Sequence, residues 1–433
     1  MRGLREELVL RTGETLFPGF RDRASSFYGR RADQLRLFNG VLAAARAAMP
    51  DLDRACAAAG IGGAGCSSTE EISKVPVLRR GAMAAGANRV KGAAIASLES
   101  GGTGQAGRLR TALSLSGVAR RYADLLAVLK ETGWRMGERV SALHPVEYGY
   151  FQNFAANAAA GALGKLAFEF AQQYLLYRLL HNRRNIYYSG EVFSGGAAAR
   201  SLLEAALADD PVLLITRPDA LMAALMAARP GDRFRRLRAV LTVGTALGGP
   251  VREAVKERFG ADVFDMYAST ELGYVGLTCP ESGGRFHLNA SSCLVETAGD
   301  GEVIVTDFNN ELTAMLRYDT GDHGRLEPGP CPCGRPGPLL SVDGRCAGLV
   351  HDAAGAALRE KDIINLSFPA GLPFFQLYAG HDGRLTLGLP ERLAGEKEAL
   401  AARIAGTLSL PHIPEAGASG LRLPPSGKFC YLP

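Results

Sequence analysis

The chain has 433 residues, of which 47% are hydrophobic and 21% charged, and its formal net charge is +5. That length exceeds one ordinary core and calls for two or more domains. The mild charge, with no lysine/arginine block, argues against nucleic acid as a partner. The opening stretch MRGLREELVLRTGETLF has no apolar signal core, so the expected location is the cytoplasm, and the eight cysteines then need a role other than disulfides.

Residues 1–75 read as helical and charged, with amphipathic stretches such as QLRLFNGVLAAARAAM, followed by a capping signal in SSTEEISKVPVL, where Ser68 stands three residues before Glu71. From about residue 95 to 275, short apolar runs alternate with helical segments. ERVSALHP, PVLLITR, LRAVLTVG and ADVFDMYA are predicted strands; DALMAALMAA and GGPVREAVKERF are the predicted helices between them. Such alternation implies parallel strands with crossover helices. The stretch NFAANAAAGALGKLAFEFAQQYLLYRLL is interrupted by Lys165, Glu169 and Gln172, and its spacing predicts a buried helix in preference to a membrane span. Residues 285–343 read as β-rich, with GEVIVTDF and AMLRYDTGD ahead of EPGPCPCGRPGP. After DGRCAG the pattern becomes α+β: FFQLYAGHDGRLTLGL reads as a hairpin turning at Asp382-Gly383, and EKEALAARIAGTL as a helix. The expected fold is α/β. A large N-terminal domain, 1–345, has mixed, largely parallel sheets, crossover helices and a small β-rich part; a small α+β C-terminal domain, 346–433, acts as a lid, with the boundary near 344–348.

Five stretches are candidates for chemistry. ESGGTGQAG (99–107) can wrap phosphates because its glycines let backbone N–H groups turn inward; it lacks the Gly-Lys-Ser/Thr ending of a Walker loop and alone is an ordinary glycine-rich turn. VGTALGGP (243–250) follows a strand, where parallel sheets bind ligands, and equally starts a helix. DMYASTELGYVG (265–276) gathers an aromatic ring, two hydroxyls and a carboxylate at a strand end. RYDTGDHGRL (317–326) puts Asp322 in a turn, able to accept two ribose hydroxyls or to serve simply as a turn aspartate. SGKFCYLP (426–433) ends the chain with Lys428, elsewhere usually a solvated charge.

In this order and spacing the motifs resemble those of the adenylate-forming superfamily of acyl-CoA synthetases and adenylation domains, and within it the phenylacetate–CoA ligase branch, on the strength of EYGYF (147–151), RYDTGD and CPCGR followed by Gly-Arg. The resemblance implies ATP-dependent activation of a carboxylic acid to an acyl-adenylate with release of pyrophosphate, then transfer to CoA, a carrier protein or an amine. It implies that Ser100, Gly101, Gly102, Thr103 and Gly104 cradle the β- and γ-phosphates; that Gly244, Thr245 and Ala246 line the adenine; and that Tyr267 stacks on it. By the same resemblance Thr270 touches the α-phosphate, Glu271 holds Mg2+, Asp322 binds the ribose, Arg345 stands near the ribose at the hinge, and Lys428 reaches the carboxylate and α-phosphate. The transition state gathers negative charge at the α-phosphorus, which a lysine aimed there stabilises.

Three departures favour adenylation over transfer to CoA. Gln105 stands where relatives carry a lysine, with Arg108 or Arg110 as substitutes; the hinge reads GRCAGL, with Ala347 and Gly348; and VHDAAGAALREKDI lacks the usual Arg-Gly start. A non-catalytic nucleotide-binding relative is the competing reading, against which the retained Glu271, Asp322 and Lys428 speak. Cys279, His287, Cys331 and Cys333 form a candidate zinc set within the insert 279–335, because four thiol/imidazole ligands suit tetrahedral zinc; the alternative is two unrelated cysteine pairs. Members of the branch carry a metal here, and its role is structural. His144 lines the acyl pocket or is a satisfied core histidine. Tyr148 and Tyr150, with Phe151, suggest aromatic pocket walls for an aryl or arylacetic acid, or are ordinary core aromatics. The expected partners are the small-molecule acid and CoA or a carrier protein, with no nucleic acid and no membrane; a homodimer is a further candidate.

Overall fold

The computed structural model describes residues 2–28, 33–84, 88–99, 109–146, 158–159, 161, 163–345, 350–380, 384–416, 420–424 and 427–433. The chain forms two compact units, one of Met1–Gly137, Phe154–Leu180 and Met266–Val342, the other of Glu138–Asn153, His181–Asp265 and Asp343–Pro433.

The first unit is built on antiparallel pairings. Cys293–Thr297 pairs with Glu302–Asp307, which pairs with Tyr318–Glu327; Leu339–Arg345 pairs with Phe286–Leu288, Phe286–Leu288 with Gly273–Leu277, and Gly273–Leu277 with the end of Asp262–Ser269. Val303 and Val305 of this sheet share a core with Phe38 and Leu42 of helix Gln34–Ala48. That helix forms where QLRLFNGVLAAARAAM predicts it, started by the Asp33 carboxylate accepting from Arg36 N–H. Helix Leu115–Glu131 is capped by Ser114, whose hydroxyl accepts from Gly117 N–H at 3.1 Å. A separate hairpin, Ala96–Glu99 with Arg110–Leu113, pairs Glu99 with Arg110.

Two local expectations change. The capping signal starts only a short 3₁₀ helix, Glu70–Lys74, and Glu71 accepts from the backbone N–H and hydroxyl of Ser67, not from Ser68. The alanine-rich stretch is helical over Leu163–Phe170 and continues as a wider π-helix, Ala171–Leu180, but no residue of the π-helix is buried. Phe170, Tyr174, Leu175 and Leu179 are each half or more exposed, because the polar interruptions do not leave one continuous apolar stripe to bury. Among the described residues no helix is long and apolar enough to cross a membrane.

The second unit carries the parallel sheet that the βα alternation predicts. Ala239–Val243, Leu213–Thr216, Val140–Pro145 and Arg183–Tyr188 lie side by side in that order, all parallel. Helices Pro218–Met226 and Gly249–Phe259 connect the strands from Leu213 to Asp262. Leu213–Thr216 and Ala239–Val243 are largely buried apolar runs, as strands covered on both faces are, whereas Arg183–Tyr188, a strand the sequence reading did not expect, begins Arg-Arg-Asn and is partly exposed at the sheet edge. A three-stranded sheet, Gln376–Ala379, Leu385–Gly388 and Glu415–Ala416, and helices Glu360–Ser367 and Lys397–Thr407 complete the unit. One core joins Leu214, Val240 and Val255 to Ile364, Phe375, Ile404 and Phe429. Gly248 makes part of this packing possible: a Cβ there would stand 2.6 Å from Ile364 Cγ2.

Candidate functional site

Within the first unit, DMYASTELGYVG is a strand, a tight turn and a returning strand. Its register slips between Tyr267 and Ala268, a bulge that re-aims the side chains on either side. The Tyr267 hydroxyl donates to Asp322 Oδ2 at 2.8 Å, and its ring lies 5.7 Å from that of Phe286. Asp322 lies on strand Tyr318–Glu327 and not in the expected turn, beside a register slip against Glu302–Asp307: its N–H donates to Thr320 Oγ1 at 3.1 Å, and the Thr320 hydroxyl donates to Val303 O at 2.9 Å.

Behind the turn, Arg121 of helix Leu115–Glu131 donates to Thr270 O at 2.8 Å and Glu271 O at 2.7 Å. Gly273, at φ +74°, takes a left-handed backbone conformation that favours glycine, and Arg121 packs beside it. Arg121 also lies 3.6 Å from Asp307, whose carboxyl burial pushes up to about 6 despite the guanidinium. The Glu271 carboxylate is buried and stands 3.5 Å from the Arg80 guanidinium. Arg317 of RYDTGD is buried and donates to Glu296 Oε2 at 3.0 Å, to Ser73 O at 2.9 Å and to Val75 O.

The second unit holds the other candidates. Gly244 ends strand Ala239–Val243 at φ +105°, with Lys428 beside it: a Cβ on Gly244 would lie 3.8 Å from Lys428 Cε. Thr245 and Ala246 line a cavity of about 10 Å³ with Asp219, Glu360, Phe429 and Tyr431, and the buried Thr245 hydroxyl has no hydrogen-bond partner among the described residues. Burial, and then the nearby Arg345 and Arg217, lower the Lys428 ammonium, with Cys430 and Asp219 opposing. His144, on strand Val140–Pro145, is bonded through Nε2 to the Arg183 guanidinium. Burial and the Arg183 and Arg217 charges push it down to about 3, so the imidazole is neutral. Ser100, Gly101, Gly102, Thr103, Gly104, Gln105, Tyr148, Tyr150 and the hinge residues Cys346–Gly348 lie outside the described residues.

The cysteine/histidine set comes together in the first unit. Cys279, His287, Cys331 and Cys333 place their ligand atoms within 4.8 Å of one another. Cys279 Sγ is 3.7 Å from Cys331 Sγ, and Cys333 Sγ is 3.5 Å from His287 Nε2. Cys279 follows strand Gly273–Leu277, His287 is on Phe286–Leu288, and the other two come from the Pro/Gly-rich loop before Leu339. Tyr28 closes the cluster: its hydroxyl donates to Thr278 O at 2.9 Å, its ring meets His287 edge-on at 4.8 Å, and Arg335 lies 4.0 Å over it. Burial lowers His287 to about 4 and raises Cys279 to about 12.

Residue reading from sequence missed Arg121, Arg217, Asp219 and Glu360. Arg217 and Asp219 stand in PVLLITRPDALM as an ordinary charged helix start; they pair with each other, but their further partners, Gly427 and Phe429, come from a distant stretch, so no local signal marks that role.

No protein-family model matches the chain, and no curated protein matches its sequence. Solved structures do match. One is 2-hydroxyisobutyryl-CoA ligase in the postadenylation state with R3-HIB-AMP, at a TM-score of 0.64 and 15% identity over 94% of this chain and 88% of that one. The same ligase with 2-HIB-AMP gives 0.61 and 14% over 90% and 87%. With 2-HIB-AMP and CoA in the thioesterification state it gives 0.56 and 16% over 92% and 88%. The chain therefore has the fold of an adenylate-forming CoA ligase.

Proposed function

We propose that the chain is an AMP-forming carboxylate ligase. The observation that carries this reading is the hydrogen bond from Tyr267 to Asp322, the residues assigned to adenine and ribose, on the fold of a ligase solved with acyl-AMP compounds. In the reaction a carboxylate oxygen attacks the α-phosphorus of ATP, the bond to the bridging oxygen breaks, and pyrophosphate leaves with that electron pair. Tyr267 and Asp322 orient the nucleoside; Thr270 contacts the α-phosphate; Lys428 neutralises the negative charge of the approaching carboxylate and the charge that gathers on the phosphoryl oxygens. Glu271 is the carboxylate that would hold Mg2+, a hard cation suited to one carboxylate plus substrate phosphates, which supplies further charge neutralisation when bound. Ser100–Gly104 are the proposed phosphate loop and Gly244–Ala246 the adenine wall, with Arg345 near the ribose.

The acyl group then passes to CoA or to another thiol or amine. The altered hinge text around Cys346–Gly348 makes the first half-reaction the firmer part of this reading. For the acid, HPVEYGYF supports an aromatic carboxylate in the manner of phenylacetate–CoA ligases, with His144, Tyr148 and Tyr150 as its walls. The cysteine/histidine cluster fits structural zinc. Thiolates 2.3 Å from a tetrahedral ion stand about 3.8 Å apart, against the 3.7 Å between Cys279 and Cys331.

Pyrophosphate release measured across a panel of carboxylic acids, with and without CoA, tests the reading. Release that depends on one class of acid is the expected result. ATP binding with no release for any acid would select the non-catalytic nucleotide-binding alternative.

A further inference from the structure

The catalytic reading assigns Lys428 a role but leaves open what fixes a lysine so close to the chain end. Four backbone hydrogen bonds to Arg217, Asp219 and Glu360 flank it, beside those from Gln376 Nε2 to Cys430 O at 3.0 Å and from Leu377 N–H to Tyr431 O at 2.8 Å, and none of these uses its side chain. On one side Arg217 Nη2 donates to Gly427 O at 2.5 Å. On the other, Phe429 N–H donates to Asp219 Oδ2 at 3.0 Å, Tyr431 N–H to Glu360 Oε1 at 2.8 Å, and Leu432 N–H to Glu360 Oε2 at 3.3 Å.

The Asp219 carboxylate is fully used. It accepts Arg217 Nε at 3.0 Å and Nη2 at 2.6 Å, the N–H of Ala220 at 2.7 Å, and that of Phe429. Arg217 and Asp219 are both buried. A buried ion pair is retained without penalty only when its remaining donors and acceptors are satisfied, and here the C-terminal segment completes the set. The pair also stands on a rigid base, the step from strand Leu213–Thr216 into helix Pro218–Met226, while Glu360 opens helix Glu360–Ser367.

We propose that Arg217, Asp219 and Glu360 are positioning residues that latch the backbone on both sides of Lys428 and so set where its ammonium stands. The proposal rests on the adenylating reading of Lys428. It makes the latched arrangement the one for the first half-reaction. Any movement of 346–433 as a separate lid, the division expected from sequence, requires the bonds from Arg217 to Gly427 and from Phe429 to Asp219 to open, while the two bonds to Glu360 stay within that segment. The competing account is that Phe429 and Tyr431, buried in the aromatic core with Phe374 and Phe375, anchor the segment by packing alone.

The test uses the full chain with Glu360→Gln and Asp219→Asn. Each keeps size and some acceptor capacity, but Gln turns an NH2 toward a backbone N–H, and Asn loses the charge that Arg217 requires. Amide hydrogen exchange of the peptide covering 427–433 is followed by mass spectrometry, alongside steady-state pyrophosphate release with the best acid. The latch predicts about tenfold faster exchange of that peptide, the equivalent of one charge-assisted hydrogen bond. It also predicts a kcat about tenfold lower, with KM for ATP within twofold and the exchange of helix Gly249–Phe259 unchanged. Unaltered exchange in both variants overturns the proposal, as does a rise in KM with kcat retained. If the wild-type protein releases no pyrophosphate with any acid, the adenylating reading fails; the exchange measurement then decides the latch by itself.

Discussion

Tyr267 and Asp322, 55 residues apart in sequence, meet through a hydrogen bond of 2.8 Å from the tyrosine hydroxyl to Oδ2. The bond joins two motifs that read separately in sequence as an unremarkable strand end and a turn. Asp322 is the carboxylate proposed to receive the ribose diol. Asp322→Ala is therefore expected to weaken ATP binding by tenfold or more, about 1.4 kcal/mol, in calorimetric titration. Tyr267→Phe keeps the ring and frees the carboxylate, and is expected to weaken binding less. An unchanged affinity in Asp322→Ala would remove the ribose assignment.

Glu271 faces Arg80 at 3.5 Å, so a cation binding there competes with an existing ion pair. Glu271→Gln is expected to raise the Mg2+ concentration for half-maximal pyrophosphate release by roughly tenfold, the effect of losing one charged ligand. A Mg2+ titration at saturating ATP checks it. An unshifted midpoint would assign the metal to other donors.

The metal expectation is separable from catalysis. Protein purified without chelator is expected to carry about one zinc per chain, measured by elemental analysis. Removing it with a strong chelator, or substituting Cys331→Ser, is expected to lower the melting temperature while ATP affinity stays within about twofold. Metal-free protein of undiminished stability would leave the cluster as buried thiols and a neutral histidine.

Much of the fold was legible because the parallel strands are short continuous apolar runs separated by helices with clear starts. Leu213–Thr216 and Ala239–Val243 fall inside the predicted runs, and Asp262–Ser269 outruns its own by one residue. Period alone misjudged the Leu163–Leu180 stretch, because Lys165, Glu169 and Gln172 break the continuous apolar stripe that burial needs. Tyr267, Asp322 and the four metal-ligand candidates were legible as residue types at motif spacing. Arg121 was not: its role is to grip two backbone carbonyls, and a carbonyl leaves no trace in residue identity. The same holds for Glu360, which binds main-chain N–H groups of Tyr431 and Leu432.

Asp307 supplies a pH signature. It is fully buried among Arg121, Arg23, Asp124 and the N–H of Asn309 at 2.8 Å, and burial raises it from 3.8 to about 6. Between those values the folded state keeps a proton that the unfolded state has released. This group's contribution to stability is therefore present below about 4 and lost as pH rises through about 6. Asp307→Asn removes that dependence. Its stability relative to wild type is expected to rise by a few kcal/mol at most between pH 4 and 6, followed by chemical denaturation at a series of pH values. A difference that is flat across the window would show that the Arg121 charge keeps Asp307 ionised.

Substitution of Lys428 tests whether the two half-reactions separate. It stands beside Gly244 at the end of a parallel strand, and its ammonium is already lowered by burial. A charge placed there acts on the transition state that forms at the α-phosphorus; the later attack of a thiol or amine on the acyl carbon develops charge elsewhere. Lys428→Ala is expected to lower acyl-adenylate formation by at least a hundredfold, in line with the roughly 3 kcal/mol that one such preorganised donor contributes. ATP affinity should stay within a few-fold, as should onward transfer from a preformed acyl-adenylate supplied in a single turnover. Equal loss of both half-reactions, with the fold intact by circular dichroism, would defeat the assignment. Undiminished pyrophosphate release would defeat it as well, and would move the catalytic charge to another cation such as Arg108.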